Sequence, residues 1–380
     1  MRAAYAAGVA EDLRAGSIVE ADGTVPPRPG EIAGSVDRLL AEFLAAEAAA
    51  LTGLDPGLEV MVTVARQMVL GGGKRLRSAF AFWGWRGAVG PDRPVAPVLP
   101  ALGALELLHT CALVHDDVMD ASATRRGLPS AHRAAADRHV ALGLPGDPAE
   151  FGRSTAILIG DLCMVWADRL AGRADLPAAT LIAARRGYDR MRLEAIAGQF
   201  LDLLGDGARE SSSVGRALRV ARLKTASYTV ARPLVYGAVL GGAAVDGPLA
   251  RAYTRYGMAV GEAFQLRDDL LGVYGDPLVT GKPVGEDLAR GKSTVLLELA
   301  RARATGPAAV ELGRLLARRA PADLPRLAAL LTRTGAAAEV DRMMADRIAC
   351  AFAAVDDAAL DPTTREALAC LAAAASRRAS

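Results

Sequence analysis

Aromatic residues make up only 4% of this 380-residue chain, and β-branched residues are sparse beside Ala and Leu. That shortage argues against a sheet-built core and favours helix. Cysteine is scarce as well: the four are Cys111, Cys163, Cys350 and Cys370. None forms a C-x-x-C pair or stands at metal-ligand spacing from a His, which excludes a thiolate metal centre of that kind. Reduced, buried thiols are the expectation. No excess of one charge exists, the formal net charge being +2. Composition therefore gives no reason to expect nucleic acid or an anionic membrane as partner. No apolar run reaches the length of a membrane span. The best stretch, Pro233 to Val245, is short and Gly-rich. The first residues lack the basic-then-apolar order of a signal peptide, and the Ser-Arg-Arg-Ala-Ser end carries no lipidation box. These absences lead to the expectation of a soluble, cytoplasmic protein without stable membrane insertion.

What is abundant is apolar helix-forming sequence. Hydrophobic residues account for 52% of the chain, enough for a sizeable core. Residues 1–30, with a Pro-Pro-Arg-Pro-Gly run, read as a loose leader. From residue 31 to 380 apolar residues recur at three and four, which predicts one all-helical domain. Gly/Pro breaks fall at Gly71-Gly72-Gly73, Gly90 to Pro100, Gly127 to Pro129, Leu144 to Pro148, Gly205 to Gly207 and Asp276 to Gly285. No run of alternating β-branched residues demands a sheet, and no repeat of fixed period is present. Beyond Gly306 the composition turns to Ala, Arg and Leu and reads as further packing helices.

The strongest chemical signal is an apolar segment, from Leu107 onward, that ends in Asp116-Asp117-Val118-Met119-Asp120. On a helix Asp116 and Asp120 share one face. Like charges at that spacing repel, and at a helix C-terminus they also oppose the macrodipole. A hard cation such as Mg²⁺ relieves both, binding through a few carboxylates together with substrate phosphates. About 150 residues later Phe264-Gln265-Leu266-Arg267 leads into Asp268-Asp269 in the same manner. Two such faces, opposed across a cavity, could grip one diphosphate through several Mg²⁺ ions.

Cations flank these clusters. Gly71-Gly72-Gly73-Lys74-Arg75-Leu76-Arg77 sets three of them behind a glycine turn, a pattern suited to an anion and distinct from a P-loop. Arg125-Arg126-Gly127 follows the first aspartates, and guanidinium forks suit phosphate oxygens. Lys224-Thr225, Lys282 and Lys292 are expected in or beside turns.

With these motifs in this order, the chain resembles the trans-isoprenyl diphosphate synthases, or polyprenyl synthetases, from about Gly71 to Leu296. Within that family it is most similar to geranylgeranyl diphosphate synthases of high-GC actinobacteria. Further matching motifs are Glu106-Leu107-Leu108-His109, Gly198-Gln199 with Asp202, and Gly291-Lys292. The resemblance implies an isoprenoid-synthase-type helical bundle around a central apolar cavity, and a homodimer. It implies that Asp116, Asp120 and Asp268 ligate Mg²⁺, three ions per site, with Asp117 and Asp269 beside them. Arg125, Lys224, Lys282 and Lys292 would contact the allylic diphosphate, and Gln265 and Thr225 would line its site. Lys74, Arg77, His109 and Arg126 would hold isopentenyl diphosphate. Gln199 and Asp202 would border the reacting allyl group. Two departures exist: Gly272 stands where a third aspartate is usual, with Asp276 nearby, and Ser78 stands where Pro is usual. The second is expected to matter little.

The implied reaction is head-to-tail condensation of isopentenyl diphosphate with dimethylallyl, geranyl or farnesyl diphosphate, with release of pyrophosphate. The tail should grow along the helix that bears Asp116. Cys111 and Ala112, about one turn before that aspartate, are small. The expectation is a twenty-carbon product with Leu108 or a neighbouring helix as floor; fifteen or twenty-five carbons remain open. A class I terpene cyclase is the rival, although it has no need of a second diphosphate site. A non-catalytic subunit of a heteromeric synthase is a further alternative, disfavoured because both aspartate clusters are present.

Overall fold

The computed structural model describes residues 29–205, 213–275, 288, 292–318 and 320–376. The leader expected over residues 1–30 falls almost wholly outside them, as do Asp276, Lys282 and Gly291. Contacts divide the chain into two compact units, Met1–Phe82 with Asp92–Ala178, and Trp83–Pro91 with Ala179–Ser380.

The first unit contains α1 (Pro29–Thr52), α2 (Glu59–Leu70), the start of α3 (Leu76–Val89), α4 (Leu99–Met119), α5 (Ala131–Ala141) and α6 (Pro148–Ala171). The expected Gly/Pro breaks separate these helices. Asp147 begins α6 by accepting a hydrogen bond from the Ala149 N–H at 2.9 Å, and Pro148 fills the first helical position. Helix α4 is buried on every side from Ala101 to Leu108, the behaviour of an apolar helix at the centre of a bundle. Leu102, Leu105 and Leu107 of α4 and Ile159 of α6 form its core, joined by Leu40 and Leu44 of α1. One small departure from an all-helical chain occurs here. Strands β1 (Thr124–Arg125) and β2 (Leu128–Pro129) pair antiparallel, with Arg125 opposite Leu128. Two residues per strand are too few for any periodicity to betray them.

The second unit opens with α7 (Ala178–Gly205). Next come α8 (Val214–Ala221), a π-helical segment Arg222–Ala231 and α9 (Arg232–Leu240), which follow one another without a break. Helix α10 (Pro248–Tyr274) is followed by α11 (Val295–Arg303), α12 (Gly306–Arg318), α13 (Leu324–Arg333), α14 (Ala336–Asp356) and α15 (Pro362–Ser376). Every residue of α9 from Pro233 to Leu240 is buried, so the apolar stretch noted as a span candidate is a core helix. No helix among the described residues is long and apolar enough to cross a membrane. Leu266, Leu270 and Val273 of α10 share a core with Leu296, Leu297, Leu315, Leu330, Leu331 and Val340. The Ala/Arg/Leu-rich C-terminal helices therefore pack onto the helix that carries Asp268.

The π-helical segment is the unexpected element, because Lys224 and Thr225 lie inside it and not in a turn. Ten residues of π-helix are rare, and such distortions cluster at functional sites. Close approach of backbones accounts for its place. A Cβ on Gly257 or Gly261 of α10 would come within 2.3 Å of Ala231 or Ala226. A Cβ on Gly198 of α7 would lie 2.5 Å from the Lys224 backbone nitrogen.

Candidate active site

Asp116, Asp117 and Asp120 occupy the last turn and cap of α4, and their environments differ. Asp117 is 1% exposed and accepts from Arg125 Nε at 3.1 and 3.2 Å. Arg125 Nη2 reaches Asp116 Oδ2 at 3.4 Å. Burial raises the Asp117 pKa, and the Arg125 hydrogen bond only partly offsets it. Asp117 is thus an anchor for Arg125, while Asp116 and Asp120 remain half-exposed on successive turns of one face. Among the described residues no three His, Cys, Asp or Glu side chains converge into a ready-made cage. One or two carboxylates completed by substrate phosphates suit Mg²⁺, which retains water and dislikes closed protein sites. The donor set fits that ion.

The β1–β2 turn places consecutive arginines in different company. Arg126 and Gly127 both have positive φ, 54° and 75°, as a two-residue hairpin of this twist requires. Arg125 turns back to the aspartates, whereas Arg126 donates to the carbonyl of Gly72. Gly73 must be glycine there: its φ is 133°, and a Cβ would lie 2.8 Å from Arg126 Nη2. Three cations follow, and the structure separates them. Arg75 is 3% exposed and donates to Asp37 Oδ1 and to the Val69 carbonyl, each at 2.8 Å. Its Nη1 stands 3.7 Å from Glu106 Oε2. Arg75 therefore pins the loop from inside, while Lys74 is exposed and Arg77 half-exposed. His109 joins Arg77 and Arg126: burial and then the charges of Arg77, Arg126, Arg125 and Arg75 push its pKa well below the usual value. Its imidazole is neutral at physiological pH, a hydrogen-bonding group set among guanidiniums.

In the second unit, Lys224 Nζ donates to Asp202 Oδ2 at 2.6 Å, and Thr225 Oγ1 donates to Gln265 Oε1 at 2.6 Å. The Gln265 amide in turn donates to Asp269 Oδ1 at 2.8 Å, and Asp269 Oδ2 accepts from the Val295 N–H at 3.2 Å. Asp269 is 4% exposed, so it fastens the start of α11 to α10. Asp268, one residue earlier on the helix, points elsewhere and is half-exposed. Gln199 is half-exposed on α7, and Lys292 is half-exposed in the segment entering α11. Lys282 lies outside the described residues.

These motifs have known counterparts. The polyprenyl synthetase family profile matches residues 59–333. The chain belongs to the polyprenyl synthetase family. It is 38% identical over 282 residues to a geranylgeranyl diphosphate synthase of Mycobacterium tuberculosis, covering 73% of this chain and 72% of that protein. It is 32% identical over 272 residues to a geranylfarnesyl diphosphate synthase of Aeropyrum pernix, covering 71% and 78%. The crystal structure of geranylgeranyl pyrophosphate synthase from Corynebacterium glutamicum, complexed with isoprenyl diphosphate and magnesium, superposes with a TM-score of 0.86. That similarity comes at 37% identity and covers 92% of this chain and 99% of that one.

In this polyprenyl synthetase the residues expected to set tail length all lie on α4. Leu108 and Cys111 are buried in α4 and Ala112 is half-buried. Cys111 faces α6: its sulfur is 3.9 Å from His115 Nδ1, and burial with the Asp161 charge pushes the thiol up to about 11. Cys163 is likewise buried, but Cys350 is exposed and Cys370 half-buried, which corrects the expectation of four buried thiols. Those two lie on the C-terminal helices, where Ala-rich sequence left no periodicity to read a face from.

Two residues noted in the sequence, Ser78 and Glu106, do more than their motifs implied. Ser78 is fully buried, and both its N–H, at 3.2 Å, and its hydroxyl, at 3.1 Å, meet Glu106 Oε1. The Ser-for-Pro departure is therefore consequential: proline has neither group. Glu106 is 2% exposed and lies one turn before His109. The available signal was the paired presence of a buried-helix glutamate and a serine with an N–H to give.

Proposed function

We propose that this chain condenses isopentenyl diphosphate with an allylic diphosphate, dimethylallyl to farnesyl, and releases pyrophosphate. We further propose geranylgeranyl diphosphate, twenty carbons, as its product. The observation that carries the reading is how the cations around His109 divide: Arg126 turns to the Gly72 carbonyl of the glycine loop beside Lys74 and Arg77, while Arg125 turns to Asp116 and Asp117. Two diphosphates need two such sites, whereas a terpene cyclase needs one.

Asp116, Asp120 and Asp268 would hold magnesium, three ions in all, and the metal would supply positive charge to the allylic diphosphate as its C–O bond breaks. Arg125, Lys224, Lys282 and Lys292 stabilise the same leaving group as fixed cations. Lys74, Arg77, Arg126 and His109 hold isopentenyl diphosphate so that its double bond meets the allylic carbon. Gln199, Asp202, Thr225 and Gln265 border the allyl end. The isopentenyl double bond is itself the nucleophile, so no protein nucleophile is required, and the departing pyrophosphate takes the proton that is then lost. Apolar surroundings shield the allylic cation from water. The small Ala112 and Cys111 leave room for the growing tail, with Leu108 below them.

A homodimer belongs to the same proposal. Leu193, Ile196, Phe200 and Leu203 of α7 form one helical stripe, 46% to 68% exposed, that a second copy would cover. Residues 31–380 then act as one catalytic domain in the cytoplasm. The reaction is tested with Mg²⁺, labelled isopentenyl diphosphate and each allylic primer, followed by sizing of the products. Asp116→Ala and Asp268→Ala should each lose turnover by orders of magnitude with helical content intact. Near-wild-type rates in both would refute the assignment.

A further inference from the structure

The π-helical segment Arg222–Ala231 is held at both ends by carboxylates, Glu194 half-buried and Glu262 buried. At the far end Glu194 of α7 accepts from Ser227, from Arg232 at 2.7 and 2.9 Å, and from Arg190 at 2.9 Å. At the near end stands Glu262 of α10, its side chain 5% exposed. Each of its oxygens serves a different arginine: Oε1 accepts from Arg222 Nε at 2.6 Å, Oε2 from Arg347 Nε at 2.7 Å. Arg222 opens the π segment two residues before Lys224. Arg347 belongs to α14, which begins at Ala336, beyond the 59–333 stretch matched by the family profile.

We propose that Glu262 is a positioning residue for Lys224 and Thr225, and that through Arg347 it makes helix α14 part of allylic-diphosphate binding. The inference rests on the reaction proposed above. Its logic is mechanical. A π-helix keeps its wider turns only where packing and side-chain bonds over-determine them. A buried carboxylate is stable only with its donors in place, so Glu262 is fixed by two guanidiniums and fixes them in return. Loss of Arg347 leaves Oε2 without its charged donor. Glu262 then shifts toward solvent or toward Arg222, and the first turn of the π segment follows. Lys224 Nζ loses its place beside Asp202, and Thr225 its place beside Gln265. Lys74, Arg77, His109 and Arg126 belong to the other compact unit. The effect should therefore be confined to one substrate.

The test uses the full-length enzyme with Arg347→Met, Arg347→Lys and Glu262→Gln. Steady-state kinetics are measured with each substrate varied in turn, alongside thermal melts. Arg347→Met should raise KM for the allylic diphosphate roughly tenfold and leave KM for isopentenyl diphosphate within about twofold. Arg347→Lys should recover most of the loss, and Glu262→Gln should shift the same constant further. Arg347 is 29% exposed, so its variants should fold and decide the matter if Glu262→Gln does not. A lowered Tm with unchanged kinetics, or equal movement of both KM values, overturns the inference. A wild-type chain that incorporates no isopentenyl diphosphate overturns the reaction itself, and the inference with it.

Discussion

Replacement of Ser78 offers the sharpest test of how the anion loop is built. Ser78 is buried at the start of α3, and its N–H and hydroxyl reach Glu106 Oε1 at 3.2 and 3.1 Å. The hydroxyl also lies 2.9 Å from the Leu102 carbonyl, so its single proton is shared. Ser78→Ala removes that hydroxyl and keeps the N–H. A hydrogen bond to a charged group contributes about 1.5–3 kcal/mol, so a loss of about 2 kcal/mol is expected. Ser78→Pro removes the N–H as well, leaving the Glu106 carboxylate, among the described residues, the Arg75 contact at 3.7 Å. Proline is tolerated sterically in a first helical turn and restricts the unfolded chain by up to about 1 kcal/mol. The net loss should still be roughly 3–4 kcal/mol, a large share of ordinary domain stability. Urea unfolding would measure both. Because Arg75 and Ser78 flank Leu76 and Arg77, the KM for isopentenyl diphosphate should rise with Ser78→Pro while that for the allylic substrate holds. A Ser78→Pro enzyme as stable as wild type would show that Glu106 draws its support from elsewhere.

Other outcomes follow from the same contacts. Gly198→Ala would set a Cβ 2.5 Å from the Lys224 nitrogen, forcing a shift of nearly 1 Å. Displacement of that size should lower kcat by about a hundredfold with about 1–3 kcal/mol of destabilisation, read by kinetics and melts. Burial opposes ionisation of Glu194, but Arg232, Ser227 and Arg190 outweigh it and hold its pKa down to about 2 against the ordinary 4.5. Its stabilisation is therefore complete above pH 4.5 and is lost as the pH falls toward 2, roughly 3 kcal/mol in all. Glu194→Gln should flatten the acid limb of stability against pH between those values. Ala112→Phe should shorten the product, by chromatography of the dephosphorylated alcohols. An unchanged chain length would remove Ala112 from the tail's path.

The aspartates on one helical face, the glycine loop and the paired arginines were legible because each is local. Period and charge along a helix are properties of neighbours in sequence. The breaks at Gly71 to Gly73, Gly90 to Pro100 and Leu144 to Pro148 were legible for the same reason, since chain breakers act where they stand. What a motif residue does was not legible in the same way. Arg75 and Arg77 are equivalent in sequence, yet one is walled in by Asp37, Glu106 and Val69 while the other stays half-exposed. Asp268 and Asp269 are adjacent and identical, yet Asp269 is buried and ties α10 to α11 while Asp268 is half-exposed.

Sequence by itself determined the helical class, the acidic and basic clusters, and their order along the chain. Tertiary structure alone decided which charges are buried as anchors, that Lys224 rides on a π-helical segment, and that Ser78 supports Glu106. The physical reason is solvation. A buried charge must find its partners, and those partners come from helices as far apart as residues 37, 106, 262 and 347, which no local pattern encodes.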